Sequence, residues 1–171
     1  MSTTRNRHGS ATVTLPSDTE ILITRQFDAP AAIVFKAWTT PELVQRWWGF
    51  ADDPWKVCEI DLRVGGAWRY VVTHTNDSGS FDVGFHGEFR EIDAPHRLVS
   101  TEVYEGFPET DAEAINILTF AEVDGVTTLT CLVQHARKEH RDAHIESGME
   151  GGMNVSMDRL EDLAGELSTA R

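Results

Sequence analysis

The chain has 171 residues, with 15 lysine and arginine residues against 28 aspartate and glutamate residues, which gives a formal net charge of −13. This length fits one domain, and an apolar fraction of 40% with 25% charged residues excludes wholesale disorder. The acidic balance argues against nucleic acid and anionic membranes as partners, because both are bound through clustered lysine and arginine. No apolar run approaches the ~18 residues of a membrane-spanning helix, so no membrane insertion is expected.

The N-terminal stretch lacks the apolar segment of a secretory signal, and this predicts a cytoplasmic protein. The cysteines point the same way. Cys58 and Cys131 lie far apart and outside any C-x-x-C spacing, so we expect free thiols that behave as small apolar residues in a reducing compartment.

Residues 1–18 are rich in Ser, Thr and Asn and show no periodicity, which predicts a flexible tail with at most a short strand near Val13–Leu15. Residues 19–171 are expected to form a single domain. Its first element is a strand at Glu20–Phe27, rich in β-branched residues. Asp28-Ala-Pro30 then ends the strand and begins a helix, since proline suits the first helical turn.

A second short helix is expected from Thr40 to Gly49, because Pro41 suits a helix start and a glycine suits a helix end. Its apolar side includes the adjacent Trp47 and Trp48. Neighbouring helical residues point in different directions, so we expect at least one of these tryptophans to be exposed or to face a cavity.

From there to His135 the pattern indicates six strands joined by short turns, which favours an antiparallel meander. Strict alternation over Phe81–Phe89 predicts that Phe81, Val83, Phe85 and Phe89 are buried while Asp82, His86 and Glu88 are exposed. The predicted strands are Lys56–Asp61, Ala67–His74, Phe81–Phe89, Arg97–Tyr104, Ile115–Val123 and Val126–His135.

The last element is predicted as one long helix from Glu139 to Leu167, with a continuous apolar stripe along one face. Such a helix is expected to lie against the concave side of the sheet, and this arrangement tends to leave a cavity between them. Three glycines in the helix, Gly148, Gly151 and Gly152, would either leave room for a ligand or allow close approach to the sheet.

Short motifs along the chain resemble, in the same order, those of the SRPBCC (START-like, helix-grip) superfamily, and most closely the branch of the C-terminal domain of the activator of heat-shock protein 90 ATPase. The resemblance covers roughly residues 20–168. The motifs are Phe27-Asp-Ala-Pro30, Val34-Phe-Lys-Ala-Trp-Thr39, Pro41-Glu42, Trp47-Trp-Gly49, Asp61-Leu-Arg-Val-Gly-Gly66, Gly87-Glu-Phe-Arg-Glu-Ile92, Arg97-Leu-Val99, Gly148-Met-Glu-Gly-Gly-Met-Asn154 and Asp158-Arg-Leu160.

The resemblance implies an α+β helix-grip fold, with a curved antiparallel sheet wrapped around a long C-terminal helix and two short helices after the first strand. It implies less about function, because the superfamily includes lipid carriers, polyketide cyclases, hormone receptors and proteins of unknown role. No cofactor is implied.

We expect a cavity of ~300–1,000 Å³, the range of small-ligand sites, between the sheet and the C-terminal helix. Its predicted lining combines the end of the second short helix, the inner face of the sheet and the inner face of the last helix. The residues are Trp47, Trp48, Phe50, Trp68, Tyr70, Phe85, Ile117, Met149, Gly152, Met153 and Ser156.

Catalytic and metal chemistry are weaker hypotheses. A metal hypothesis involves His135, His140 and His144, of which the last two share a helix face. The H-E-x-x-H pattern is absent and a solvated helix start is the better interpretation, so no metal is predicted. Four polar residues on predicted strands would point into the cavity if their side of the strand faced the helix. They are Arg69, His74, Glu102 and Asn116. No nucleophile and base pair is recognisable, so no catalytic residue is assigned and enzyme activity is not favoured.

Three functional hypotheses follow. The first is binding of a hydrophobic or amphipathic small molecule in the cavity. The second is an interaction module in chaperone or stress regulation, with a protein partner or a homodimer, and the third is a polyketide-cyclase-like enzyme.

Overall fold

The computed structural model describes residues 7–49, 53–106 and 113–169. Within these ranges it has eight strands and four helices. They are β1 (Thr12–Thr14), β2 (Glu20–Phe27), α1 (Ala31–Thr39), α2 (Pro41–Trp47), β3 (Trp55–Ile60), β4 (Ala67–Asn76), β5 (Gly79–Asp93), β6 (Arg97–Tyr104), β7 (Ala114–Val123), β8 (Val126–Gln134), α3 (Lys138–Glu146) and α4 (Met149–Thr169).

All eight strands belong to one antiparallel sheet in the order β1-β2-β8-β7-β6-β5-β4-β3. Strands β3 to β8 are neighbours in the order in which they occur along the chain, and so form a meander. Strand β2, which precedes α1 and α2 in the sequence, pairs with the last strand, β8. The tight turn between β7 and β8 is formed by Asp124 and Gly125, both with positive φ, as a two-residue hairpin requires. The sheet and the C-terminal helix confirm the predicted α+β helix-grip fold.

The register of β5 agrees with the alternation in its sequence except at one end. Phe89 is buried and Phe85 half-buried, whereas Asp82, His86 and Glu88 are exposed. Phe81 was predicted to be buried but is 47% exposed. It lies next to the hairpin turn at Gly79, beyond the end of the core, where its ring contacts His74 instead.

Gly87 in β5 is needed because the chain passes very close to its neighbours at this point. A Cβ at position 87 would overlap the Thr101 carbonyl oxygen and lie 2.6 Å from Nε1 of Trp68. Trp68 Nε1 donates a 3.1 Å hydrogen bond to the same carbonyl oxygen. The glycine therefore leaves room for the contact that fixes the Trp68 ring on the inner face of the sheet.

The predicted single helix from Glu139 to Leu167 is wrong, because the chain forms two helices with a break at Ser147 and Gly148. Gly148 has φ +83°, a left-handed conformation that ends α3 and that side chains other than glycine rarely adopt. The buried face of α4 consists of Met157, Leu160, Leu163 and Ala164, and the helix packs on α1, α2, α3 and β2. In the described ranges, none of the helices is long and apolar enough to cross a membrane.

The N-terminal segment was predicted as a flexible tail, but residues 7–14 lie against the domain. Thr12–Thr14 pairs with β2, close to the short strand that the sequence suggested. Before this strand, Arg7 contacts Asp28 on one side, and His8 contacts the carboxylates of Glu161 and Asp162 in α4 on the other. The segment is held by its backbone pairing with β2, by packing of Val13 against the core and by these charge pairs.

We expect the imidazole of His8 to titrate above its ordinary pKa of 6.5, mainly because it is hydrogen-bonded to Asp162, with the charges of nearby carboxylates adding to the effect. A raised folded-state pKa means that the contact stabilises the fold fully below pH 6.5 and is lost as the pH rises through the folded-state value. An NMR titration of His8 measures this pKa. The variant Asp162→Asn should return it toward 6.5, whereas Asp77→Asn, in a distant turn, should leave it unchanged.

Candidate functional site: an aromatic cavity

A cavity of about 90 Å³ lies between the inner face of the sheet and the tryptophans of α1 and α2. Its volume is below the predicted range of ~300–1,000 Å³, so the size expectation was wrong for the structure as it stands. The lining is mainly aromatic with a small polar part. The lining residues are Trp38, Trp47, Trp48, Trp68, Tyr70, Phe85, Phe89, Leu98, Ser100, Glu102, Asn116, Leu118 and Cys131.

Trp47 and Trp48 both reach the cavity although they are neighbours in sequence. Trp47 is the last residue of α2, is only 2% exposed, and donates a 2.9 Å hydrogen bond from Nε1 to the carbonyl oxygen of Ala37. Its ring lies 4.6 Å from that of Trp38, centroid to centroid. Trp48 follows the helix in an extended conformation (φ −78°, ψ 142°), and this change of direction turns its ring toward the sheet.

Trp48 forms a half-buried wall held by other rings. Its centroid lies 5.1 Å from Tyr70, 5.4 Å from Trp55 and 5.5 Å from Phe85, all in tilted or edge-to-face arrangements. Such contacts stabilise aromatic pairs by about 0.5–1.5 kcal/mol beyond area burial. On the floor of the cavity, Trp68 and Tyr70 of β4 have centroids 4.8 Å apart.

The polar part of the lining comes from β6 and β7. Glu102 and Asn116 face the cavity, and Nδ2 of Asn116 donates a short hydrogen bond to Oε2 of Glu102. Removal from water raises the pKa of Glu102, and the Asn116 hydrogen bond opposes this only in part. Oδ1 of Asn116 is buried and has no hydrogen-bond partner among the described residues. The cavity thus contains an unused acceptor beside a carboxyl group whose pKa is raised by burial.

Two further ionisable groups of the lining, Cys131 and Tyr70, are neutral near pH 7. Burial raises the pKa of the Cys131 thiol to about 12 and raises the pKa of the Tyr70 hydroxyl well above its ordinary value. None of the described lining residues is His, Lys or Arg. The described lining therefore has no histidine or lysine that would activate the thiol, and its chemistry suits binding through shape and hydrogen bonds.

The structure brings together five of the predicted lining residues, namely Trp47, Trp48, Trp68, Tyr70 and Phe85. Ile117 is not among them, because its side chain points to the opposite face of β7 from the lining residues Asn116 and Leu118. The sequence prediction chose the wrong pleat phase. Apolar residues occur at 115, 117, 118 and 120, so alternation alone does not select a face.

The predicted contribution of the C-terminal helix to the lining is also wrong, because no described residue of α4 lines the cavity. Met149 and Met153 are half-buried and pack against the core, whereas Gly152 lies on the helix outside the lining. Ser156 donates a 3.2 Å hydrogen bond to the carbonyl oxygen of Gly49 and so ties α4 to the end of α2. The helices α1 and α2 carry the tryptophans on this side. Phe50 lies outside the described residues.

Sequence reasoning missed the remaining lining residues, including Trp38, Leu98, Leu118 and Cys131. Trp38 lay in the recognised motif Val34-Phe-Lys-Ala-Trp-Thr39, so a signal for it was present. Of the polar strand residues whose direction was left open, Glu102 and Asn116 point inward. Arg69 and His74 instead pair with Glu105 and Asp53, outside the lining.

The histidines that suggested a metal site are not arranged around the cavity. His144 Nδ1 lies 3.1 Å from His135 Nε2, and burial lowers the pKa of both, that of His135 to about 4. In the described ranges, one group of three side chains brings potential metal-ligand atoms close together. It consists of His8 in the N-terminal segment and Glu161 and Asp162 in α4.

The thiols provide a test of the packing around the cavity. At pH 8 we expect Cys131 to react with iodoacetamide about a thousandfold more slowly in the folded than in the unfolded protein, because a pKa of about 12 removes the thiolate. Cys58, whose pKa burial raises to about 11, should be slowed about a hundredfold. Mass spectrometry of the alkylated protein measures both rates. Rapid folded-state labelling of Cys131 would contradict this description of the lining.

The sequence and fold can be compared with those of known proteins. Residues 28–165 match the family described as Activator of Hsp90 ATPase homolog 1-like protein. No curated protein matches the chain. Among solved structures, a protein from Rhodobacter sphaeroides is 27% identical with a TM-score of 0.80, over 91% of this chain and 99% of that one.

Two further structures show the same fold. A protein from Mycobacterium smegmatis is 26% identical with a TM-score of 0.77, covering 94% of this chain and 98% of that one. A structure described as an HSP90 activator from Plasmodium falciparum is 22% identical with a TM-score of 0.62, covering 86% of this chain and 96% of that one. At this identity the last likeness concerns the fold alone.

Proposed function

The chain belongs to the Activator of Hsp90 ATPase homolog 1-like family, and from this premise we propose that it binds a small, mainly apolar molecule in the aromatic cavity. The observation that carries the proposal is the combination of an aromatic lining with an unpaired buried acceptor, Oδ1 of Asn116. Ligand sites in proteins are typically apolar pockets with a few convergent polar groups.

The volume of about 90 Å³ limits the ligand, or the part of it that enters, to a group of a few non-hydrogen atoms. A larger ligand requires that one wall moves. Trp48 is the best candidate for that wall, because it lies beyond the end of α2 and is half-buried, whereas Trp47 is fixed by its hydrogen bond to Ala37. Rotation of the Trp48 ring away from Tyr70 would widen the cavity.

Cyclopentane is a suitable probe, and the indole N–H signals of the five tryptophans report its position by NMR. We expect the signals of Trp38, Trp47, Trp48 and Trp68 to shift on saturation with the probe, because these rings line the cavity. Cys131→Leu places additional side-chain volume in the cavity and should abolish the shifts, at a folding cost of ~1–3 kcal/mol if the space becomes overpacked. Cys58→Leu, outside the lining, is the matched control.

Identical shifts in the wild type and in Cys131→Leu would contradict the proposal, as would the absence of any shift in the wild type. Trp48→Ala provides a second variant that enlarges the cavity instead of filling it. Because it removes a half-buried wall, this variant should admit apolar probes larger than cyclopentane, whereas the wild type should exclude them.

A chaperone-related interaction is the second candidate function, and the family match is the observation that favours it. The match extends over most of the chain, so any activity shared across the family would reside in this domain. The test is whether the purified protein stimulates the ATPase rate of an Hsp90 chaperone. The polyketide-cyclase-like alternative stays a prediction, and Glu102 is the lining carboxyl on which it would depend.

We also propose the cytoplasm as the location. Cys58 and Cys131 are both free thiols in the structure, which suits a reducing compartment.

A further inference from the structure

We infer that the ligand carries a neutral amide-like group, an N–H beside a C=O, which binds to Asn116 and Glu102 at the polar end of the cavity. The inference rests on the proposed ligand-binding function and adds the chemical class of the group that is recognised.

The two polar side-chain atoms of Asn116 differ in their hydrogen bonding. In the sheet register Asn116 lies opposite Ser100 of β6, and Glu102 lies two residues further along the same strand. The amide nitrogen donates to Oε2 of Glu102, so one end of the Asn116 amide is fixed. The other end, Oδ1, is buried without a hydrogen-bond partner in the described part of the chain. A buried acceptor without a partner costs free energy, and a ligand N–H would remove that cost.

One carboxyl oxygen of Glu102 is left for a ligand. Oε2 accepts from Asn116, and the surrounding Tyr70 and Cys131 carry no positive charge that would favour an ionised carboxylate. Desolvation raises the pKa of Glu102, in agreement with a neutral carboxyl group. A neutral carboxyl presents an O–H, which donates to a ligand carbonyl oxygen.

The cavity therefore offers one acceptor and one donor on neighbouring strands. A neutral amide matches both, because its N–H donates to Asn116 and its C=O accepts from Glu102. A ketone satisfies only the donor, and a hydrocarbon satisfies neither. A cation would need an ionised Glu102, and an anion would face the unpaired oxygen of Asn116.

Acetamide, acetone and acetamidinium test this inference. Each has four non-hydrogen atoms in a planar arrangement, but the three differ in their hydrogen-bonding groups. The readout is an NMR titration of the Asn116 side-chain amide and the Trp68 indole. We expect acetamide to bind up to about tenfold more tightly than acetone, which is the effect of one neutral hydrogen bond. Acetamidinium should bind more weakly than acetamide.

Two variants assign the preference to the named residues. Glu102→Gln keeps a neutral donor at the same position and should retain acetamide binding. Asn116→Leu removes the acceptor and should abolish the preference for acetamide over acetone, while Asn154→Leu on α4, whose amide donates to the Glu150 carbonyl oxygen, is the control. If Asn116→Leu does not fold, the ranking of the three probes on the wild type still decides the inference.

These experiments distinguish a failure of the amide inference from a failure of the proposed ligand binding. Equal binding of acetamide and acetone, or tightest binding of acetamidinium, would overturn the amide inference while cyclopentane binding keeps the proposed function intact. Loss of acetamide binding in Glu102→Gln would also overturn it, because that result requires an ionised carboxylate. If neither acetamide nor cyclopentane shifts the cavity signals, the inference and the proposed function fail together.

Discussion

Trp47→Ala is expected to lower the free energy of unfolding by about 3–5 kcal/mol, one of the largest effects of any single substitution in the chain. Trp47 is 2% exposed and contacts the Trp38 ring, and its Nε1 satisfies the carbonyl oxygen of Ala37. Alanine would remove the apolar contacts and leave that carbonyl oxygen without its side-chain donor. Chemical denaturation, followed by circular dichroism because the fluorescence of the variant also changes, measures the difference.

Phe81→Ala is the matched control, because it removes a large aromatic side chain that is 47% exposed at the end of a hairpin. Its effect on the free energy of unfolding should stay within about 0.5 kcal/mol. A cost for Phe81→Ala similar to that of Trp47→Ala would mean that the hairpin end of β5 is packed into the core, contrary to the observed register.

The second large effect is expected at Arg25, a charged residue on the inner face of β2. Its guanidinium side chain is 0% exposed, lies 3.1 Å from Glu161 and 3.5 Å from Asp158 of α4, and donates to Oγ of Ser10. Arg25→Met keeps the apolar length of the side chain but leaves both carboxylates without their main counter-charge. We expect a loss of about 2–4 kcal/mol in the free energy of unfolding, somewhat below the range for fully buried pairs because both carboxylates are partly exposed.

The double variant Arg25→Met with Glu161→Gln separates charge from packing. If the loss comes from an uncompensated carboxylate, the second substitution should recover at least half of it, because it removes that charge without changing the size of the side chain. A double variant less stable than Arg25→Met alone would show that Glu161 stabilises the fold through contacts other than those with Arg25.

The fold followed from the sequence because local signals and the collinear motifs agreed. Turn residues such as Asp124-Gly125 marked the meander, and the alternation in β5 gave the correct faces for Phe85 and Phe89. The same reasoning failed at Phe81, since a pattern does not reveal where a hairpin extends past the core. It also failed at Gly148, which sits within a helical apolar stripe but has the left-handed φ that ends α3.

The site was only partly predictable. The aromatic half was found because Trp47, Trp68 and Phe85 stand out in an otherwise ordinary sequence. The polar half was not, because nothing in the sequence fixes the pleat phase of β6 and β7 that turns Glu102 and Asn116 inward. The position of α4 was equally hidden, since its apolar stripe indicates that it is buried but does not identify α1 and α2 as elements on which it packs.

The central claim is that the space between the tryptophans and the sheet binds a small molecule, and a crystal structure under xenon pressure tests it most directly. Xenon enters apolar cavities without needing a specific group. We expect a strong xenon peak bounded by Trp48, Tyr70 and Leu118 in the wild type and the loss of this peak in Cys131→Leu. A wild-type crystal that binds xenon elsewhere but not there, or a peak that persists in Cys131→Leu, would contradict the account.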